Sequence, residues 1–189
     1  MRRFCVFAHY KFSLAVWAVW LIPYFGPMFS VMGNREVCTM TQPVERIWRI
    51  RAYIYQHFAD TARPPTVDQV ADHFGLARPE ADALFRELDR LHAFFLEPGT
   101  LDIRIANPFS AVPTDFRVHA QGQDYWANCA WDALGIPAAL HADATIDAVC
   151  AQSGERLSLA VQGGRLVPTD AVAHFLVPFG EWYEDMVFT

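Results

Sequence analysis

The sequence predicts an α+β chain in which a three-helix, winged-helix-like N-terminal part precedes a mixed, β-rich part. Three observations carry this. Apolar residues recur at helical spacing from Val44 to about Leu91, the spacing switches to a period of two beyond Gly99, and turn residues punctuate both regions at the expected places. The boundaries read from these shifts are 1–39, an apolar extension; 40–98, the helical part; and 99–189, the β-rich part.

The first helix is written by Ile47, Trp48, Arg51 through its stem, Ile54, Tyr55 and Phe58, and the pattern breaks from Ala59 to Pro65. Thr66 followed by Gln69 has the form of a capping box. Val67, Val70, Ala71 and Phe74 form a buried stripe, and Gly75 is a natural C-terminal cap, so a second, short helix follows. Pro79 suits the first turn of a third helix that buries Leu84, Phe85, Leu88 and Leu91 before Glu97-Pro98-Gly99 turns the chain. Beyond it, Leu101, Ile103 and Ile105 alternate with Asp102 and Arg104, and Phe116, Val118 and Ala120 alternate with Arg117 and His119. A further strand pair, near Thr145 to Ala151 and Arg156 to Val161, is joined by Gln152-Ser153-Gly154-Glu155. Between the strand groups, Asn128 to Leu134 is the one short helical segment.

Composition narrows the function. With 189 residues, 53% apolar and 19% charged, the chain can bury a sizeable core. A net charge of -6 gives no overall positive field for nucleic acid or anionic membrane. The third helix carries Glu80, Asp82, Glu87 and Asp89 against Arg86 and Arg90, so the helix-turn-helix likeness reads as a packing unit, with nucleic acid not expected as a partner. The four cysteines, Cys5, Cys38, Cys129 and Cys150, follow neither a disulfide nor a zinc-ribbon spacing and imply reduced thiols in a cytoplasmic protein. Phe12 to Met32 is nearly all apolar behind Arg2, Arg3 and Lys11, but Pro23, Gly26 and Pro27 interrupt it. It reads as a mis-assigned start ahead of Met40, a membrane anchor, or an export signal; a membrane is a partner only if this extension is real.

The run Tyr125-Trp126-Ala127-Asn128-Cys129-Ala130-Trp131-Asp132-Ala133-Leu134 carries the chemistry. It puts Asn128 at the N-cap, Cys129 in the first helical turn and Asp132 three residues later on the same face. A helix N-terminus favours a thiolate, which makes Cys129 a readily ionised nucleophile or soft-metal ligand. A carboxylate opposes that ionisation, so Asp132 is cast as a proton carrier.

From about Val44 to its end the chain resembles the organomercurial (alkylmercury) lyase, MerB-like, family. The matching residues are Asn107-Pro108-Phe109-Ser110, Pro113-Thr114, Phe116, the block Tyr125 to Pro137, and Cys150-Ala151-Gln152-Ser153-Gly154-Glu155. The resemblance implies an alkylmercury lyase, with residues 99–189 as its catalytic part. In that reading Cys129 is the first catalytic cysteine, Asp132 the catalytic aspartate and Cys150 a structural cysteine. A small alkyl- or arylmercurial is cleaved to hydrocarbon and Hg(II), which rests on Cys129 and Asp132 and passes to mercuric reductase or soluble thiols. No resident cofactor is implied beyond external thiols. Trp126, Trp131, Phe109 and Ile136 are candidates for a dry pocket around the substrate.

The family's second catalytic cysteine is expected near or just past Thr189, and no cysteine follows Cys150. Either the natural chain is longer, the segment Glu181 to Thr189 being an element broken off midway, or this is a diverged member without the second thiol. Two rival functions follow from the residues. One is a thiol-based heavy-metal sensor or binding protein using Cys129 with Cys150; the other is a cysteine hydrolase pairing Cys129 with His119, His141 or His174.

Overall fold

A computed structural model describes residues 42–173, 175, 178, 181 and 182. The apolar extension, most of the final segment and His174 lie outside the described residues. Helix α1 spans Gln42–Thr61, α2 Val67–Phe74 and α3 Arg78–Arg90. Each forms where spacing and caps predicted one. Thr66 accepts from the Gln69 amide while the Gln69 side chain returns to the Thr66 amide, completing the capping box. Gly75 ends α2 at φ 63°, a left-handed conformation that costs glycine nothing.

The buried stripe of α1 is Ile50, Ile54 and Phe58, and Trp48, read as part of it, is 42% exposed. The Arg51 guanidinium lies over the Trp48 and Tyr55 rings, 5.7 and 4.3 Å from their centroids. On α3 the buried set is Ala81, Phe85 and Leu88, whereas Leu91 is 44% exposed. The helix ends at Arg90, so Leu91 is its cap and no longer continues the apolar face. Arg78 is held by Asp68 and Asp82, and Arg90 by Glu87.

Strands β1 (Phe95–Leu96), β2 (Ile103–Ala106), β3 (Phe109–Ser110), β4 (Phe116–Ala120), β5 (Gln123–Ala127), β6 (Ala144–Val149), β7 (Arg156–Gln162) and β8 (Arg165–Leu166) join one antiparallel sheet. Its order is β1-β2-β3-β5-β4-β6-β7-β8. With both helices and an antiparallel sheet, the chain is α+β. Four of the strands, β1, β3, β5 and β8, are not separate in the sequence pattern, and three of these are only two residues long.

Helix α4 (Ala130–Leu140) packs on β4, β5 and β6. It runs six residues past the predicted Leu134 end because Gly135 and Pro137, helix breakers by propensity, are both buried against its neighbours. Tertiary packing outweighs the roughly 3 kcal/mol that an interior proline costs an isolated helix. The end of α1 is tied to the same region: Phe58 stacks on Phe109, Phe109 packs on Tyr125, and the Tyr125 hydroxyl donates to the Ala59 carbonyl at 2.6 Å. One apolar core therefore runs from α1 through the sheet to α4. Among the described residues no helix is long and apolar enough to cross a membrane.

Candidate active site

The site forms where β5 ends and α4 begins. Strand β5 pairs with β3 through Ala127 and Phe109, and with β4 through Trp126 and Arg117. Just beyond, the Thr114 hydroxyl donates to the Ala127 carbonyl at 2.6 Å, pinning the backbone two residues before Cys129. The turn holding Asn107 lies at the same end of the sheet, with its Oδ1 buried and lacking a protein hydrogen-bond partner.

Cys129 itself is the N-cap, at φ -146° and ψ 178°, so the helix starts one residue later than the sequence suggests and Asn128 is not the cap. Its carbonyl accepts the first helical bond from Ala133 at 2.9 Å. Three residues on, the Asp132 carboxyl comes back over the sulfur, and Cys129 Sγ donates to Asp132 Oδ2 at 3.5 Å. The spacing that suggested one face thus brings thiol and carboxyl into contact. Asp132 is 6% exposed, while Cys129 is half-buried.

The electrostatics differ from the sequence expectation. Burial pushes the Cys129 thiol up from 9.0 to about 12, and the Asp132 charge pushes the same way. The backbone N–H groups of Trp131 and Asp132 face the sulfur and favour its thiolate, but no capping hydrogen bond of ordinary geometry forms and they do not win. Cys129 is therefore a protonated thiol at neutral pH, not a readily ionised one. Burial likewise holds Asp132 at about 6 instead of 3.8, against the opposing pull of the thiol's hydrogen bond. At neutral pH the pair is a thiol donating to a carboxylate whose affinity for a proton is unusually high.

Of the four apolar residues expected to line a pocket, two belong to the core: Phe109 is stacked under Phe58, and Ile136 is fully buried. Trp126 and Trp131 are half-buried. Trp131 meets Phe175, and Phe175 meets Trp182, so the segment after β8 returns to the first turn of α4. Sequence reading did not place those two aromatics, because no periodicity links them to α4.

Cys150 follows β6, and its backbone amide bonds to the Glu155 carbonyl across the Gly154 turn. The pairing of Phe116 with Ala148 sets it at the same end of the sheet as Cys129. Among the described residues no three His, Cys, Asp or Glu side chains form a metal-binding group. His119 pairs with Asp124 toward the opposite end of β4. His141 caps α4 at its far end, roughly 18 Å from Cys129 at 1.5 Å per residue. Neither supplies the base that a cysteine hydrolase needs beside its sulfur.

Comparison with known proteins agrees on the region. Residues 109–189 match the alkylmercury lyase family, MerB. A comparison with curated proteins finds no match. Among solved structures the chain is similar to the mercury-bound form of MerB2, at 24% identity and a TM-score of 0.55. That likeness, which is one of fold, covers 66% of this chain and 59% of the other, so the chain spans less than two thirds of that relative's length. Residues 109–189 thus match the alkylmercury lyase family model, and the fold is similar to that of MerB2.

Proposed function

We propose that the protein cleaves the carbon–mercury bond of alkyl- and arylmercurials by protonolysis, with Cys129 as the mercury-capturing thiol and Asp132 as the proton carrier. The observation that carries the reading is the contact of 3.5 Å between a protonated thiol and a buried carboxylate, inside the stretch that matches the alkylmercury lyases.

The chemistry follows from the two residues. An organomercurial reaches the site as the adduct of a carrier thiol. As Cys129 sulfur bonds to mercury, its proton moves to Asp132 and the carrier leaves as thiolate. Mercury is a very soft cation, and thiolate is the softest ligand a side chain offers, so capture compensates for ionising a reluctant thiol. The carboxylic acid then gives its proton to the metal-bound carbon, the carbon–mercury bond breaks, and hydrocarbon departs. Mercury(II) is left between the Cys129 thiolate and the Asp132 carboxylate. External thiol removes it, with handover to mercuric reductase as the physiological route.

Asp132 suits this cycle because its value near 6 lies close to the working pH, where a group can both accept and return a proton. A carboxylate at an ordinary 3.8 would hold the proton too weakly to take it from a thiol.

The test is direct. In excess thiol the protein should release benzene from phenylmercury, and methane more slowly from methylmercury, with Hg(II) appearing in step. Cys129→Ala should abolish release of both; turnover at the native rate by that variant would refute the assignment.

A further inference from the structure

The proposed cleavage leaves Cys150 without a task, yet the sheet fixes its place relative to Cys129. Strands β5 and β6 flank β4 and both run antiparallel to it, so they point the same way, and Trp126, Arg117 and Asp147 form one row across the three. Cys129 and Cys150 are each the third residue beyond that row. On the β6 side the ladder reaches that far: the Val149 amide donates to the Asp115 carbonyl at 3.1 Å and the Cys150 amide to the Glu155 carbonyl at 2.8 Å. On the β5 side Cys129 is still extended, at φ -146° and ψ 178°. Ala144, Ile146 and Ala148 are buried on the face that α4 covers, and alternation puts Cys150 on that same face. The Cys129 sulfur lies there too, against Asp132, which α4 buries toward the sheet. The two backbones are two strand spacings apart, roughly 10 Å. That exceeds the span of about 7 Å that a disulfide tolerates. It suits two cysteine side chains joined in line through a mercury atom.

We infer that Cys150 is the second sulfur ligand of the mercuric ion that cleavage leaves behind. The inference rests on the lyase reading for the origin of that ion. Mercury held by Cys129 and Asp132 keeps a hard oxygen on a soft cation, and a second thiolate is the better ligand. In the transfer the Hg–O bond to Asp132 breaks and an Hg–S bond to Cys150 forms. The Cys150 proton goes to the freed carboxylate, and no oxidation state changes. Two thiolates complete a linear two-coordinate ion, so no group of three ligands is needed among the described residues, and none is found there. External thiols then take the ion from both sulfurs and return a proton to each.

The test needs no turnover. Mercuric chloride is added to the full chain carrying Cys5→Ser and Cys38→Ser, in which Cys129 and Cys150 are the only thiols. X-ray absorption at the mercury edge counts sulfur neighbours, and native mass spectrometry counts mercury per chain. The expected result is one mercury on a single chain with two sulfur neighbours, falling to one sulfur when Cys150→Ser is added. A role in folding alone would not take a sulfur from the metal. A single sulfur neighbour in the parent protein, or two sulfurs on a mercury that joins two chains, would overturn the inference whether or not the Cys150 variant folds. The same two-sulfur signature should follow benzene release from one equivalent of phenylmercury. A two-sulfur mercuric site in a protein that leaves phenylmercury intact would fail the lyase reading alone and leave the Cys150 ligand supported.

Discussion

Two aspartates eight positions apart, Asp124 and Asp132, have been driven in opposite directions by their surroundings. Asp124 lies on the exposed face of β5, where Arg117 and then His119 hydrogen-bond to it and hold its carboxyl below the usual range. Asp132 is buried on α4 with a thiol as its hydrogen-bond donor, and burial lifts it to about 6. The same side chain is in one place a fixed surface anion and in the other a group that exchanges its proton near neutrality. What makes the difference is burial first and the partner second: desolvation raises Asp132 against the weaker pull of its thiol donor, whereas exposed Asp124 is held ionised by a guanidinium.

The comparison can be broken most severely by removing the proton-carrying capacity while keeping the shape. Asp132→Asn should lower carbon–mercury cleavage by roughly 10²- to 10⁴-fold, the span typical of losing a positioned acid–base group. Asp124→Asn should leave turnover unchanged. Equal losses in the two variants would show that burial has no bearing on the chemistry.

A second effect is pH dependence. Asp132 must be ionised to take the thiol's proton, so kcat/KM should fall as pH drops through about 6 and level off above it. A limb near 4 would mean that the carboxyl in solution behaves like an ordinary surface group.

Stability gives the third. Between pH 3.8 and about 6 the folded protein holds a proton on Asp132 that the unfolded chain has released, so stability falls as pH rises through that window. Above it the ionised carboxylate costs the fold roughly 3 kcal/mol, an upper figure that solvent and relaxation will reduce. Asp132→Asn should therefore be more stable than the native chain in urea unfolding at pH 7.5, and the gain should vanish at pH 4 or below. The smallest effect is expected at the surface pair, where Asp124→Asn should lower Tm only slightly, as exposed ion pairs do.

Much of this was legible beforehand, for identifiable reasons. The caps of α2 are local chemistry, with Thr66, Gln69 and Gly75 specifying both ends within ten residues. The meeting of Cys129 and Asp132 is also local, since residues three apart around a helix start must be neighbours. What escaped depends on distant packing. Helix α4 continues through Gly135 and Pro137 because sheet contacts override propensity, and Leu91 is exposed because its helix stops one residue earlier. The state of the Cys129 thiol escaped for the same reason: the helix N-terminus is visible in sequence, but the burial that outweighs it is not. Phe175 and Trp182 reach α4 only through the tertiary path of the chain.

The account stands on the passage of one proton from the Cys129 sulfur through Asp132 to carbon. A rapid-quench experiment mixing Asp132→Asn with one equivalent of phenylmercury at pH 7.5, and assaying bound phenylmercury and free benzene in the same samples, tests it most directly. The prediction is slower capture of phenylmercury on the protein, the thiol's proton going to water in place of Asp132, with almost no benzene once capture is complete. Benzene released at the native rate would contradict it.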